Sequence, residues 1–203
     1  MSKSVYSAQT SSESTYIAQA APTTNVGTNA SLFVGQSGAG GIRRSLVRHP
    51  SIPSDIYVLA NPILSLYCVS DSLTGDRLVT VYRCKRNWVE DQATWNMYST
   101  GNNWASAGAM GAGDYDSTPI GTATLSFAIA ANAEFQIPLD ETLFKEYINN
   151  QSTYPGGLLV VMVETAADLW NIHSNDSATE GYRPKLTFDY WLGKGVRNTF
   201  IGS

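Results

Sequence analysis

The chain has 203 residues, a formal charge of −4, 43% hydrophobic residues and only 15% charged ones. That is enough apolar material for one large domain, and the Gly-, Ser-, Thr- and Asn-rich remainder suits turns between strands. The acidic balance, with no basic cluster beyond "CKR" and "IRR", excludes a general nucleic-acid binder. No apolar run approaches the ~18 residues of a membrane span, and the opening "MSKSVYSAQTSSESTY" lacks the apolar stretch of a secretion signal.

In chain order, residues 1–20 read as a polar N-terminal arm, within which "STYIAQ" can pair as an edge strand. "ASLFVGQ" (30–36) reads as a strand, the Gly-rich "SGAGG" as a flexible turn, and "RRSLVRH" (43–49) as a strand around Leu46 that ends at "PSIPSD". "NPILSLYCVS" (61–70) and "DRLVTVYRCK" (76–85) are the clearest strands. Leu64, Leu66 and Cys68 share one face of the first. In the second, Val79 and Val81 oppose Thr80 and Tyr82. Residues 85–118 read as loop, and "TATLSFAI" and "AEFQIPL" as further strands. "DETLFKEYINN" (140–150) predicts one short helix: Asp140 can cap it, Glu141 stands four before Lys145, and Leu143, Phe144, Tyr147 and Ile148 form its apolar face. "GGLLVVMVET" and "PKLTFDYWL" close the set. The prediction is an all-β jelly-roll sandwich over 21–192 with arms at 1–20 and 193–203.

Two cysteines are too few for a disulfide scaffold. Cys68 and Cys84 read as reduced, buried small hydrophobes, with a cross-strand disulfide as the alternative.

The chemistry-bearing candidates gather in "NWVEDQATWNMYSTGNNW" (87–104). Flat rings stack on sugar faces, and amides bind hydroxyls. Trp88 and Trp95 read as architectural, packed over the end of the sandwich with their indole N–H groups satisfied locally. Trp104, beside Gly and Asn, reads as the exposed ring, and with Asn102 and Asn103 forms the candidate glycan site. Catalysis is the weaker reading. A Ser–His–Asp arrangement would have to use His49 or His173; "GQSGAGG" lacks the helix of a nucleophile elbow; and "GAMGAGD" lacks the Lys-Ser/Thr of a phosphate loop. The pairs Glu90/Asp91 and Asp114/Asp116 are of a kind common in polar loops. "GAGDYDS" and "HSNDSATE" offer oxygens to calcium without EF-hand spacing, with solvated turns as the plainer reading. No metal or cofactor is expected. Arg183 reads as structural, paired with Glu180 or an upstream carboxylate.

Several stretches together resemble the DNRLRE-domain family, β-jelly-roll modules that overlap a carbohydrate-binding module family. They are "NVG…SLFVG" (25–35), "RRSLVRHPSIP" (43–53), "NPILSLY" (61–67), "VTVYRCKRNWVEDQATWN" (79–96), "NNWASAGA" (102–109), "PLDETL…YINN…GGLLV" (138–160) and "HSNDSATEGYRPKLTFDY" (173–190). The chain departs from the pattern at "RHPSIP" and at Tyr147, where the family often has Trp. The resemblance implies a jelly roll and a surface or extracellular role, in some members with acidic polysaccharide as ligand. It carries over no set of ligand residues.

The functional expectation is a non-enzymatic phage virion surface component, decorating capsid or tail and assembled in the host cytoplasm. The alternative is a free-standing carbohydrate-binding module or adhesin domain working beside a polysaccharide-degrading enzyme. Expected partners are sister subunits or a larger virion protein, together with surface polysaccharide. Val5, Tyr6, Val196, Phe200 and Ile201 are the candidate assembly anchors, with Phe200 foremost.

Overall fold

The computed structural model describes residues 4–8, 13–38, 41–49, 52, 56–164 and 167–192. Its strands are β1 (Ser4–Ala8), β2 (Glu13–Ala18), β3 (Ser31–Gln36), β4 (Ile42–Arg48), β5 (Ile56–Asp71), β6 (Arg77–Arg83), β7 (Met97–Ser99), β8 (Asn102–Asn103), β9 (Gly121–Leu125), β10 (Glu134–Pro138), β11 (Leu158–Met162), β12 (Leu169–His173) and β13 (Lys185–Leu192). One helix, α1 (Glu141–Asn149), follows β10. Pairing is antiparallel and runs β1-β13-β5-β12-β3-β4-β11-β6-β9, with β10 also on β5 and β2 also on β4; β7 and β8 pair apart. The sheet curls on itself, giving the all-β sandwich of jelly-roll type expected from the alternation.

Period-2 alternation explains the core. Leu64, Leu66 and Cys68 of β5 face inward, as do Leu32 and Val34 of β3 and Trp170 and Ile172 of β12. They meet Val47 of β4, Val79 and Val81 of β6, and Leu158, Val160 and Met162 of β11. The helix closes one side of this core. Asp140 Oδ1 accepts from the Leu143 N–H at 2.8 Å, which satisfies an otherwise orphaned first-turn donor, and Phe144, Tyr147 and Ile148 are buried.

Three stretches depart from the sequence reading. The first twenty residues, expected as an arm, include β1 on β13 and β2 on β4, with Ile17 of β2 fully buried. Pairing to strands distant in sequence supplies the partner that this polar stretch lacks locally. Second, β5 begins at Ile56, not at Asn61. Asn61 and Pro62 look like a turn, but Asn61 adopts φ 52° and the two residues together oppose Phe188, a β-bulge that spares proline its missing donor. Third, β12 was not anticipated, although "LWNIH" alternates cleanly, with Trp170 and Ile172 buried.

The cysteines are free and buried in separate clusters, Cys68 within the sandwich and Cys84 outside it. Burial pushes the Cys84 thiol up to about 12.

Candidate functional site

The tryptophan-rich segment forms a second core. Every residue of β11 is buried, because Leu158, Val160 and Met162 face the sandwich while Leu159 and Val161 face outward beneath the loop. Ile17 of β2 and Leu46 of β4 extend that outer apolar strip, and Trp88, Trp95, Trp104 and Ala109 cover it. Trp88 is 0% exposed, and its Nε1 donates to the Gly156 carbonyl at 2.6 Å. Arg48 stacks 4.7 Å from the Trp88 ring and Arg44 4.9 Å from the Trp95 ring, while Arg44 also binds Glu164 through Nε and Nη2 at 2.6 and 2.8 Å. Gly108, at φ 88°, lets the backbone pass against Trp95, where a Cβ would sit 2.6 Å from the ring.

Trp104 overturns its expectation. It is 5% exposed and its Nε1 donates to the Thr94 carbonyl at 2.8 Å, so its ring offers no free face to a sugar. Asn102 and Asn103 are exposed and form β8 of the β7–β8 hairpin, where Asn102 Nδ2 donates to Ser99 Oγ at 3.0 Å. The structure therefore separates the expected ring from its amides. Tyr6 stacks on Phe188 of its own chain at 4.7 Å, whereas Val5 beside it is 66% exposed. Phe200, Ile201 and Val196 lie outside the described residues.

The carboxylates of the loop hold structure. Asp114 is fully buried and accepts from the N–H groups of Ala105 (2.7 Å), Ser106 (3.0 Å) and Gly111 (3.0 Å), with Arg86 Nε at 3.2 Å. Asp116 pairs with the buried Arg83, which also reaches Glu146 at 2.7 Å. Glu90 Oε1 accepts from Ser14 N at 2.7 Å and ties the loop to β2; burial raises its pKa above the ordinary value. Among the described residues, no group of three or more His, Cys, Asp or Glu side chains is placed to hold a metal ion. Arg183 Nε donates to the Ser177 carbonyl at 3.0 Å and orders the turn before β13.

His173 stands between Asn132 Oδ1 and Ser177 Oγ, each at 3.1 Å, with its pKa lowered by burial. The trio has the atoms of a Ser–His–amide relay, but Ser177 is 4% exposed, leaving its hydroxyl no approach for a substrate.

With one outer face covered by the loop, the outer face of β3, β12, β5, β10 and β13 remains. Residues directly opposite on paired strands share a face, and two transverse rows follow. Phe33 pairs with Asn171, and Asn171 with Ser70. Ser31 pairs with His173, and Tyr67 with Glu134. Tyr182 joins the second row, 5.1 Å from the His173 ring and 5.9 Å from the Tyr67 ring. Lys185 donates to the Tyr67 hydroxyl at 2.9 Å and pairs with Glu134 at 3.0 Å. At the other end Tyr16 meets Phe33 edge-on at 5.0 Å, and the Arg43 guanidinium lies 4.8 Å over Phe33. Tyr16, Phe33, Arg43, Asn171 and His173 are all partly exposed. Arg43 Nε and Asn171 Oδ1 are without a hydrogen-bond partner among the described residues. Both atoms are themselves buried, so what this surface offers a ligand is the partly exposed Phe33 ring and the Arg43 guanidinium stacked on it. The signal was present in the sequence as "STYIA", "SLFVG" and "LWNIH", but only pairing across strands far apart in the chain joins them.

A search of curated proteins returns no match to this chain. The family model for carbohydrate-binding module family 96 matches residues 5–142. That span takes in all but the first residue of β1 and then β2 through β10, including Tyr16, Phe33, Arg43 and Tyr67 and the whole tryptophan loop. The chain belongs to carbohydrate-binding module family 96.

Proposed function

We propose that this protein is a non-catalytic module that holds an acidic polysaccharide against the open sheet face, with Phe33 as platform and Arg43 as the anion contact. The observation that carries this reading is the Arg43–Phe33 stack, a guanidinium 4.8 Å over a ring with both residues partly exposed. Among the described residues Arg43 has no carboxylate partner, and its guanidinium is stacked and oriented by two aromatic rings. A planar, preoriented guanidinium matches a carboxylate or sulfate with two parallel hydrogen bonds. Family membership favours polysaccharide as the ligand over the virion decoration expected from the sequence, for which no described residue speaks.

The test is affinity electrophoresis in gels containing polygalacturonate, hyaluronan or chondroitin sulfate, with dextran as the uncharged control. At least one acidic polymer retards the protein. Arg43→Gln weakens that retardation roughly tenfold or more, the size of one lost charge-assisted bond of about 1.5–3 kcal/mol. Phe33→Ala weakens it as well. Equal retardation of wild type and of a folded Arg43→Gln variant would overturn the assignment.

A further inference from the structure

We infer a second binding site, for an uncharged oligosaccharide, in the groove between β2, β4, α1 and the start of the tryptophan loop. It stands independently of the platform. Two hollows, of about 290 Å³ and about 380 Å³, share Glu13, Arg48 and Asn87 on their walls. Each is near the lower end of the range typical of small-ligand sites, about 300–1,000 Å³.

The shared residues form a fixed ridge. Arg48 binds Glu13 Oε2 through Nε (2.8 Å) and Nη2, and its Nη1 donates to Asn87 Oδ1 (2.6 Å) and to the Pro155 carbonyl (3.2 Å). Trp88 beneath holds the guanidinium plane. The ridge is therefore preorganised, and little side-chain freedom is lost when a ligand arrives.

Polar atoms remain on it. Among the described residues Glu13 Oε1, Asn87 Nδ2 and the Gln151 amide have no hydrogen-bond partner. A carboxylate beside two amides offers an acceptor and donors to neighbouring sugar hydroxyls. The charge selects the class. Glu13, Glu90 and Asp91 line the groove against the single guanidinium of Arg48, which Glu13 already neutralises. A uronate or sulfated chain meets repulsion here, and an uncharged sugar does not. Platform and groove thus divide acidic from neutral saccharides.

The test uses the full chain and the probes cellohexaose, xylohexaose, mannohexaose and maltohexaose. Amide-resolved NMR titration of the wild type reports where each binds. At least one is expected to shift the amides of residues 86–91 and 151. Asn87→Ala and Gln151→Ala each weaken that binding, by up to about tenfold for one neutral hydrogen bond, and Gln151→Ala, which breaks no bond within the chain, does so with an unchanged urea midpoint. Three outcomes overturn the site: no probe binds, the shifts map to β3 and β12 instead, or folded Asn87→Ala and Gln151→Ala bind as wild type. The readout is neutral-sugar binding, so failure of acidic polymers to bind the platform leaves it unaffected.

Discussion

Trp88 and Trp104 show how a residue type that suggests a ligand can serve packing instead. Each buries its ring and gives its N–H to a carbonyl of the same chain, so each position couples apolar contact with one buried hydrogen bond. Trp88→Ala should destabilise by roughly 3–5 kcal/mol through cavity formation, read as a lower urea midpoint. Trp104→Phe keeps most of the ring but orphans the Thr94 carbonyl, costing about 1–3 kcal/mol. Acidic-polysaccharide binding at the Phe33–Arg43 face, measured on the folded fraction, should survive both changes. Glu134 gives a pH-dependent case. Burial opposes its ionisation, yet the neighbouring polar groups of Ser65 and Gln136 and the Lys185 ammonium 3.0 Å away bring its carboxyl down to about 2. A depressed carboxylate adds stability that is complete above the unfolded value of about 4.3 and is lost as pH falls through the folded one. Urea midpoints measured from pH 6 downward should therefore fall across that interval, and Glu134→Gln should flatten that part of the curve.

At the scale of elements, β11 and α1 contrast in legibility. The helix was readable in full, because Asp140 caps it locally and its apolar spacing needs no knowledge of partners. Asp140→Ala should cost about 0.5–2 kcal/mol in chemical denaturation. The run "LLVVM" announced a strand but not its surroundings. An unbroken apolar strand implies burial on both faces, and only the fold identifies the second cover as the loop at 85–118. Leu159→Ala should consequently cost as much as a sandwich-core deletion, about 2–5 kcal/mol, although Leu159 lies outside the sandwich. A midpoint close to wild type would show that the loop is loosely seated. Among the strands missed from the sequence, β1 and β12 are short, five residues each, and gain their stability from partners far along the chain.

The whole molecule has two outer faces with different fates, one closed by its own loop and the other left polar and aromatic. Its net charge of −4 disfavours acidic polymers at long range, so the platform relies on local charge at Arg43. Raising ionic strength toward 1 M, where the Debye length shrinks to about 3 Å, should weaken polygalacturonate binding in affinity electrophoresis; insensitivity to salt would remove Arg43 from the contact. By itself the sequence determined the all-β class, the helix at 140–150, the inward faces of β5 and β6 and the architectural part of Trp88 and Trp95, since alternation, capping and local packing are written in neighbouring residues. Only the tertiary structure decided that Trp104 is buried, that Tyr16, Phe33, Arg43 and Asn171 share one surface, and that Glu13, Arg48 and Asn87 wall one groove. Those residues lie on segments up to about 155 positions apart, and strand pairing, which no local pattern encodes, is what brings them together.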